Sequence, residues 1–132
     1  MVGAFEARKD HAEMFPNAAT AASGLRVPAA VGDFMMLRVL RESRATALTV
    51  TDVELLEGVR EFSRHQGIYA CPEGGAVWNV ARKLLAAGWL KADEEIVMFN
   101  TGSGLKYNHL FPVGNLPVLD HDDPNCLKQV GA

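Results

Sequence analysis

The chain has 132 residues, 48% of them hydrophobic and 22% charged, with a formal net charge of -3. That length suits one domain with a real core and is too short for two of ordinary size, and the composition excludes a disordered chain. The charge leaves no basic footprint for nucleic acid, and no apolar run approaches the roughly 20 residues of a membrane span.

The N-terminus, MVGAFEARKDHAEMF, carries charges where a signal peptide needs an apolar core, so a cytoplasmic location is expected. A short helix is expected near Ala4 to Met14, broken at Phe15-Pro16-Asn17. The small-residue run AATAASGLRVP follows, either a tightly packed connecting loop or a place where backbone approaches a ligand closely. Pro28 can open a helix, because its missing N–H is an orphan in the first turn anyway. From Ala29 to Glu42 the pattern predicts a helix, with Val31, Phe34, Met35, Leu37, Val39 and Leu40 as a largely buried stripe.

Ala45 to Val50 reads as a short strand. Thr51-Asp52-Val53-Glu54 is a capping-box sequence, an arrangement typically worth about 1 kcal/mol. Val53, Leu56, Val59 and Phe62 are expected on one face of the helix it opens, with Gly67 as the left-handed stop. Ile68 to Cys71 reads as a second buried strand and Pro72-Glu73-Gly74-Gly75 as a turn. The next helix would turn Val77, Val80, Ala81, Leu84 and Leu85 inward and end at Gly88, with Trp89 and Leu90 packing back.

The stretch Glu95 to Tyr107, EIVMFNTGSGLKY, reads as a third, central strand, Ile96 to Phe99, running into a glycine-rich turn. Alternating helices and strands predict an α/β fold: a parallel sheet of about three strands flanked by helices. Residues 1–107 would form this unit and 108–132 an irregular tail.

In such a sheet the turns CPEGG and NTGSG fall at the same carboxyl edge, where ligands bind. Glu73 there either caps its helix or faces a ligand. Thr101 and Ser103 offer hydroxyls, and Gly102 lets a flat ligand approach the backbone. TGSG alone is also an ordinary tight turn and lacks the Lys-Ser/Thr ending of a phosphate loop. Cys71 is expected as a buried thiol, with no disulfide framework. His109, His121, Asp120, Asp122, Asp123 and Cys126 have no known zinc spacing, so no metal site is expected. His65 suits the negative end of its helix.

Three pieces in order, ASGLRVP, CPEG and NTGSGLKY, resemble the C-terminal part of threonine synthases, over roughly residues 3 to 107. These are pyridoxal-phosphate enzymes of the fold-type-II, tryptophan-synthase-β-like group. The resemblance implies the conversion of O-phospho-L-homoserine and water to L-threonine and phosphate, in a larger fold-type-II domain. In that family the cofactor is held as a lysine Schiff base, and the threonine of the NTG turn hydrogen-bonds the pyridine nitrogen; Thr101 matches it. Glu73 matches an acidic residue lining the same side, and Gly102 and Ser103 belong to the same turn. The Ser-x-Lys-Asp-like lysine motif and the phosphate loop have no counterpart here. Lys9, in Ala7-Arg8-Lys9-Asp10, is only superficially similar, Lys83 and Lys91 read as solvated, and Lys106 does not match the imine lysine. No catalytic residue is therefore expected in the chain, and it is expected to be inactive alone. The alternative is a truncated or degenerate homologue acting as an association or small-molecule-binding module. The implied partners are an amino-acid substrate, a second copy, or the segment carrying the lysine.

Overall fold

The computed structural model describes residues 1–112, 114, 118–120, 122–126 and 128. Four α-helices organise them: α1 (Val2–Glu6), α2 (Asp33–Glu42), α3 (Asp52–Gln66) and α4 (Pro72–Ala86). Short 3-10 turns occupy Ser23–Leu25 and Gly104–Leu110, the latter kinked at Tyr107. None of the helices is long and apolar enough to cross a membrane.

The expected parallel sheet is not there. Among the described residues β-pairing is confined to one antiparallel bridge, Ala70 with Ser103, beside which the Gly104 N–H donates to the Tyr69 carbonyl at 2.9 Å. A segment becomes a strand only when a neighbour takes up its backbone groups. Residues 45–50 and 96–99 run without a ladder. The segment expected to be most buried is open: Val97 is 82% and Phe99 79% exposed.

α3 forms where its local sequence says it should. The Thr51 hydroxyl accepts from the Glu54 N–H at 3.3 Å, and the Glu54 carboxylate accepts from the Thr51 N–H at 2.7 Å. Gly67 closes the helix in the left-handed conformation, φ 66°. The expected face holds at Val59 and Phe62, which are buried, and at half-buried Leu56; Leu55 and Gly58 join them, while Val53 is 77% exposed.

α4 starts earlier than expected. Pro72 is its first residue, as a missing N–H permits, so Glu73, Gly74 and Gly75 lie in its first turn instead of preceding it. Its inner face is Ala76, Asn79 and Ala81 with those glycines, and Val77 and Leu85 are partly exposed. Gly88, at φ 69°, ends the run as expected, but Trp89 stays half-exposed.

The α3–α4 pairing is the main helix contact. Its closest approach is glycine against glycine: a Cβ on Gly75 would stand 2.7 Å from Val59 Cγ2, and one on Gly58 would press into the Gly75 backbone. Asn79 Nδ2 donates to the Glu54 carbonyl across the same crossing.

The small-residue run is packed at Ala22, while residues 23–28 are exposed. Ala22 is fully buried against Leu55 and Ala76. Asp52, at the start of α3, anchors it by accepting from the Thr20 hydroxyl at 2.5 Å and the Ala21 N–H at 3.0 Å.

α1 and α2 depart further from expectation. α1 ends at Glu6, well short of Met14. α2 begins at Asp33, because residue 28 is engaged elsewhere: the Phe15 N–H donates to the Pro28 carbonyl at 2.8 Å. Asp33 then accepts from the N–H groups of Ala12 and Phe34, both at 2.7 Å. The stripe expected over 29–42 is mostly open: Leu37 is buried, but Phe34, Met35 and Val39 on α2 and Val31 before it are exposed.

Candidate functional site

A cleft of about 680 Å³ opens where three sequence-distant turns meet. Ser23-Gly24-Leu25 supply one wall, the start of α4 a second, and Phe99, Thr101, Gly102, Lys106 and Tyr107 a third. Of the expected site residues, Glu73, Thr101 and Gly102 line it. Ser103 does not: its hydroxyl accepts from the Leu105 N–H at 3.3 Å and caps the following 3-10 turn.

The CPEGG and NTGSG segments are neighbours, as expected, but not as two carboxyl ends of a parallel sheet. Asn100 joins them, its Oδ1 accepting from the Cys71 N–H at 3.3 Å while its Nδ2 donates to the Gly102 carbonyl at 2.9 Å. A Cβ on Gly102 would stand 3.2 Å from Cys71 Sγ, so the absence of a side chain there is what lets the turn lie on the buried cysteine.

Glu73 is the most tightly held polar group of the cleft. Its Oε1 accepts from the Gly24 N–H at 2.8 Å and from the Tyr107 hydroxyl at 3.0 Å. Ser23 Oγ lies 2.7 Å from the Tyr107 oxygen. Since Tyr107 donates its one proton to Glu73, Ser23 donates to Tyr107, and a directed chain runs Ser23, Tyr107, Glu73. Burial opposes ionisation of Glu73. Hydrogen bonds from its own N–H, the Gly24 N–H, the Cys71 thiol and Tyr107 outweigh that and hold its carboxyl below the ordinary value. Glu73 thus lies in the first turn of α4 and lines the cleft.

Cys71 lies one residue before α4, buried, its Sγ 3.3 Å from Asn100 Oδ1. Burial pushes the thiol up, and the Glu73 carboxylate adds to this, against opposing N–H groups of Gly74 and Gly102. It is a packing thiol at neutral pH, and Cys71 and Cys126 are both unpaired.

Thr101 is exposed at the mouth of the cleft, and its hydroxyl has no protein partner among the described residues. Below it the walls are apolar: Leu25, Ala76, Val77, Val80 and Phe99. A flat aromatic ligand with a hydrogen-bonding ring atom suits this combination.

Of the lysines, Lys106 is in the cleft wall. Lys9 pairs with Glu13, and Lys83, read as solvated, bonds Glu54 at 2.7 Å. No group of three or more His, Cys, Asp or Glu able to hold a metal exists among the described residues; His121 lies outside them. His65 stacks on Trp78 at 5.7 Å between ring centroids. Sequence reasoning missed Ser23, Gly24 and Tyr107 as site residues; the signal available was the small-residue run around Ser23.

Residues 1–102 match the family model of pyridoxal-phosphate dependent enzymes, and the chain belongs to that family. Within it, the chain is similar to threonine synthase of Methanocaldococcus jannaschii, 30% identical over 131 residues, covering 98% of this chain and 32% of that protein. It is also similar to threonine synthase of Methanosarcina acetivorans, 36% identical over 90 residues, covering 68% of this chain and 22% of that protein. The chain thus spans a third or less of the length of these relatives.

Proposed function

We propose that this chain forms the pyridine-nitrogen side of a pyridoxal phosphate site in a threonine-synthase-like lyase, whose full reaction turns O-phospho-L-homoserine and water into L-threonine and phosphate. The observation that carries the reading is the convergence of Gly24, Glu73, Thr101 and Gly102 on one apolar-walled cleft. When bound, pyridoxal phosphate withdraws electrons from the carbon next to a substrate's amino group.

The chain's own residues would do the following. The free Thr101 hydroxyl would meet the ring nitrogen. As a neutral group it does not force that nitrogen to stay protonated, unlike an aspartate, and so tunes a milder electron sink. Gly24 and Gly102 let their turns lie close against Glu73 and Cys71, and the apolar wall excludes water from the ring's face. Glu73, fixed by Tyr107 and Gly24, keeps a negative charge on the same side. The lysine and the phosphate loop would come from polypeptide beyond this chain's residues. The exposed Val97 and Phe99, on an extended segment without a ladder, favour association with that polypeptide or with a second copy.

Equilibrium dialysis against pyridoxal 5'-phosphate, with a borohydride arm, tests this. Expected are saturable retention that Thr101→Val weakens several-fold, and no specific borohydride-stable label on any lysine. Retention indifferent to Thr101→Val, or a specific adduct on Lys106 or Lys9, would overturn the assignment.

A further inference from the structure

A second cleft, of about 450 Å³, lies beside the first and shares Ser23, Lys106 and Tyr107 with it. Its wall carries one sign of charge. Arg26 and Lys106 line it, with the His109 ring beside them, and no carboxylate does. This is unexpected in a chain of net charge -3. Neither Arg26 nor Lys106 makes an ion pair among the described residues.

The two carboxylates bonded to lining residues are already taken up by hydrogen bonds and do not themselves line the cleft. Asp52 accepts from Thr20 and the Ala21 N–H, and Glu73 accepts from Tyr107. The Ser23 and Tyr107 protons are also spent, in the directed chain that ends on Glu73. The charged side chains left facing the cleft are therefore Arg26 and Lys106. Like charges converging on a concavity repel each other and raise the local concentration of anions.

We propose that this cleft binds a small oxyanion, the phosphate or carboxylate group of a metabolite-sized ligand, with Arg26 and Lys106 as its main partners. A guanidinium fork matches either group bidentately, and a lysine supplies a compact second charge. The volume leaves room for the organic part of the ligand, within the range of small-molecule sites. The proposal does not rest on the cofactor reading.

The test titrates the full chain, without pyridoxal phosphate, with inorganic phosphate and separately with acetate at constant ionic strength, following backbone amide resonances. Saturable shifts confined to residues 20–26 and 106–110 are expected. Whichever probe binds more tightly identifies the oxyanion class. Arg26→Gln and Lys106→Gln should each weaken binding about tenfold. Arg26→Lys, which keeps the charge but loses the fork, should fall between wild type and Arg26→Gln, and Arg44→Gln at a different cleft should change nothing. Unchanged helical circular dichroism confirms that each variant folds; if a glutamine variant loses that signal, Arg26→Lys against wild type decides. Non-saturable shifts, binding that survives Arg26→Gln and Lys106→Gln, or equal loss in Arg44→Gln would overturn it.

Discussion

Replacing Gly58 by alanine puts a methyl group into the α3–α4 crossing at its closest point. Alanine is the better helix former by about 1 kcal/mol, so propensity alone predicts a more stable protein. The structure predicts the reverse. The new Cβ would stand 2.9 Å from the Gly75 carbonyl carbon and 2.6 Å from Asn79 Nδ2, and the first of these is backbone that cannot rotate aside. The helices must part, at a cost of about 1–3 kcal/mol for overpacking of this kind. Displacing Asn79 from the Glu54 carbonyl adds about 1 kcal/mol. Set against the propensity gain, the net loss is about 1–3 kcal/mol, or roughly 3–12 °C in melting temperature for a domain of this size. Urea and thermal unfolding followed by circular dichroism measure it directly. A Gly58→Ala protein as stable as wild type, or more so, would show that the crossing is looser than described and that the Glu73 end of α4 is not held by it.

Two further outcomes concern titrating groups. Tyr107→Phe removes one donor from Glu73, so its carboxyl should rise toward the ordinary value, read from the side-chain carboxyl carbon shift; an unmoved value would refute the directed chain. Because the folded value is depressed, the stabilisation from Glu73 is full above the ordinary carboxyl range and is lost as pH falls through the folded value, and Tyr107→Phe should flatten that dependence. Glu54 is lowered to about 2, first by the hydrogen bond from Lys83 and then by the Thr51 N–H. Its stabilising effect on the start of α3 is therefore complete above the ordinary glutamate value and disappears as pH falls from there toward 2. Lys83→Met should remove most of this acid dependence, and a pH–stability profile identical to wild type between pH 5 and 2 would contradict the pairing.

The cleft was partly legible before any fold was known. Thr101, Gly102 and Glu73 stand out because glycine-rich turns beside helix starts are where backbone and ligand meet. Ser103 has the same local chemistry as Thr101, yet it faces the Leu105 N–H, because its residue pairs with Ala70. Tyr107 reaches Glu73 across 34 positions of sequence, and no local pattern encodes that reach.

What the sequence determined by itself is what short-range physics controls. The Thr51–Glu54 box and the left-handed Gly67 and Gly88 depend on neighbours within a few residues. Tertiary structure decided which face of each helix is inside. Val53 and Leu55 are equally apolar, and the glycine contact between α3 and α4 selects Leu55 for burial. It also decided that residues 45–50 and 96–99 join no sheet. A strand exists only through hydrogen bonds to a neighbour, so an apolar run can announce an extended backbone but cannot supply the partner that makes it a strand.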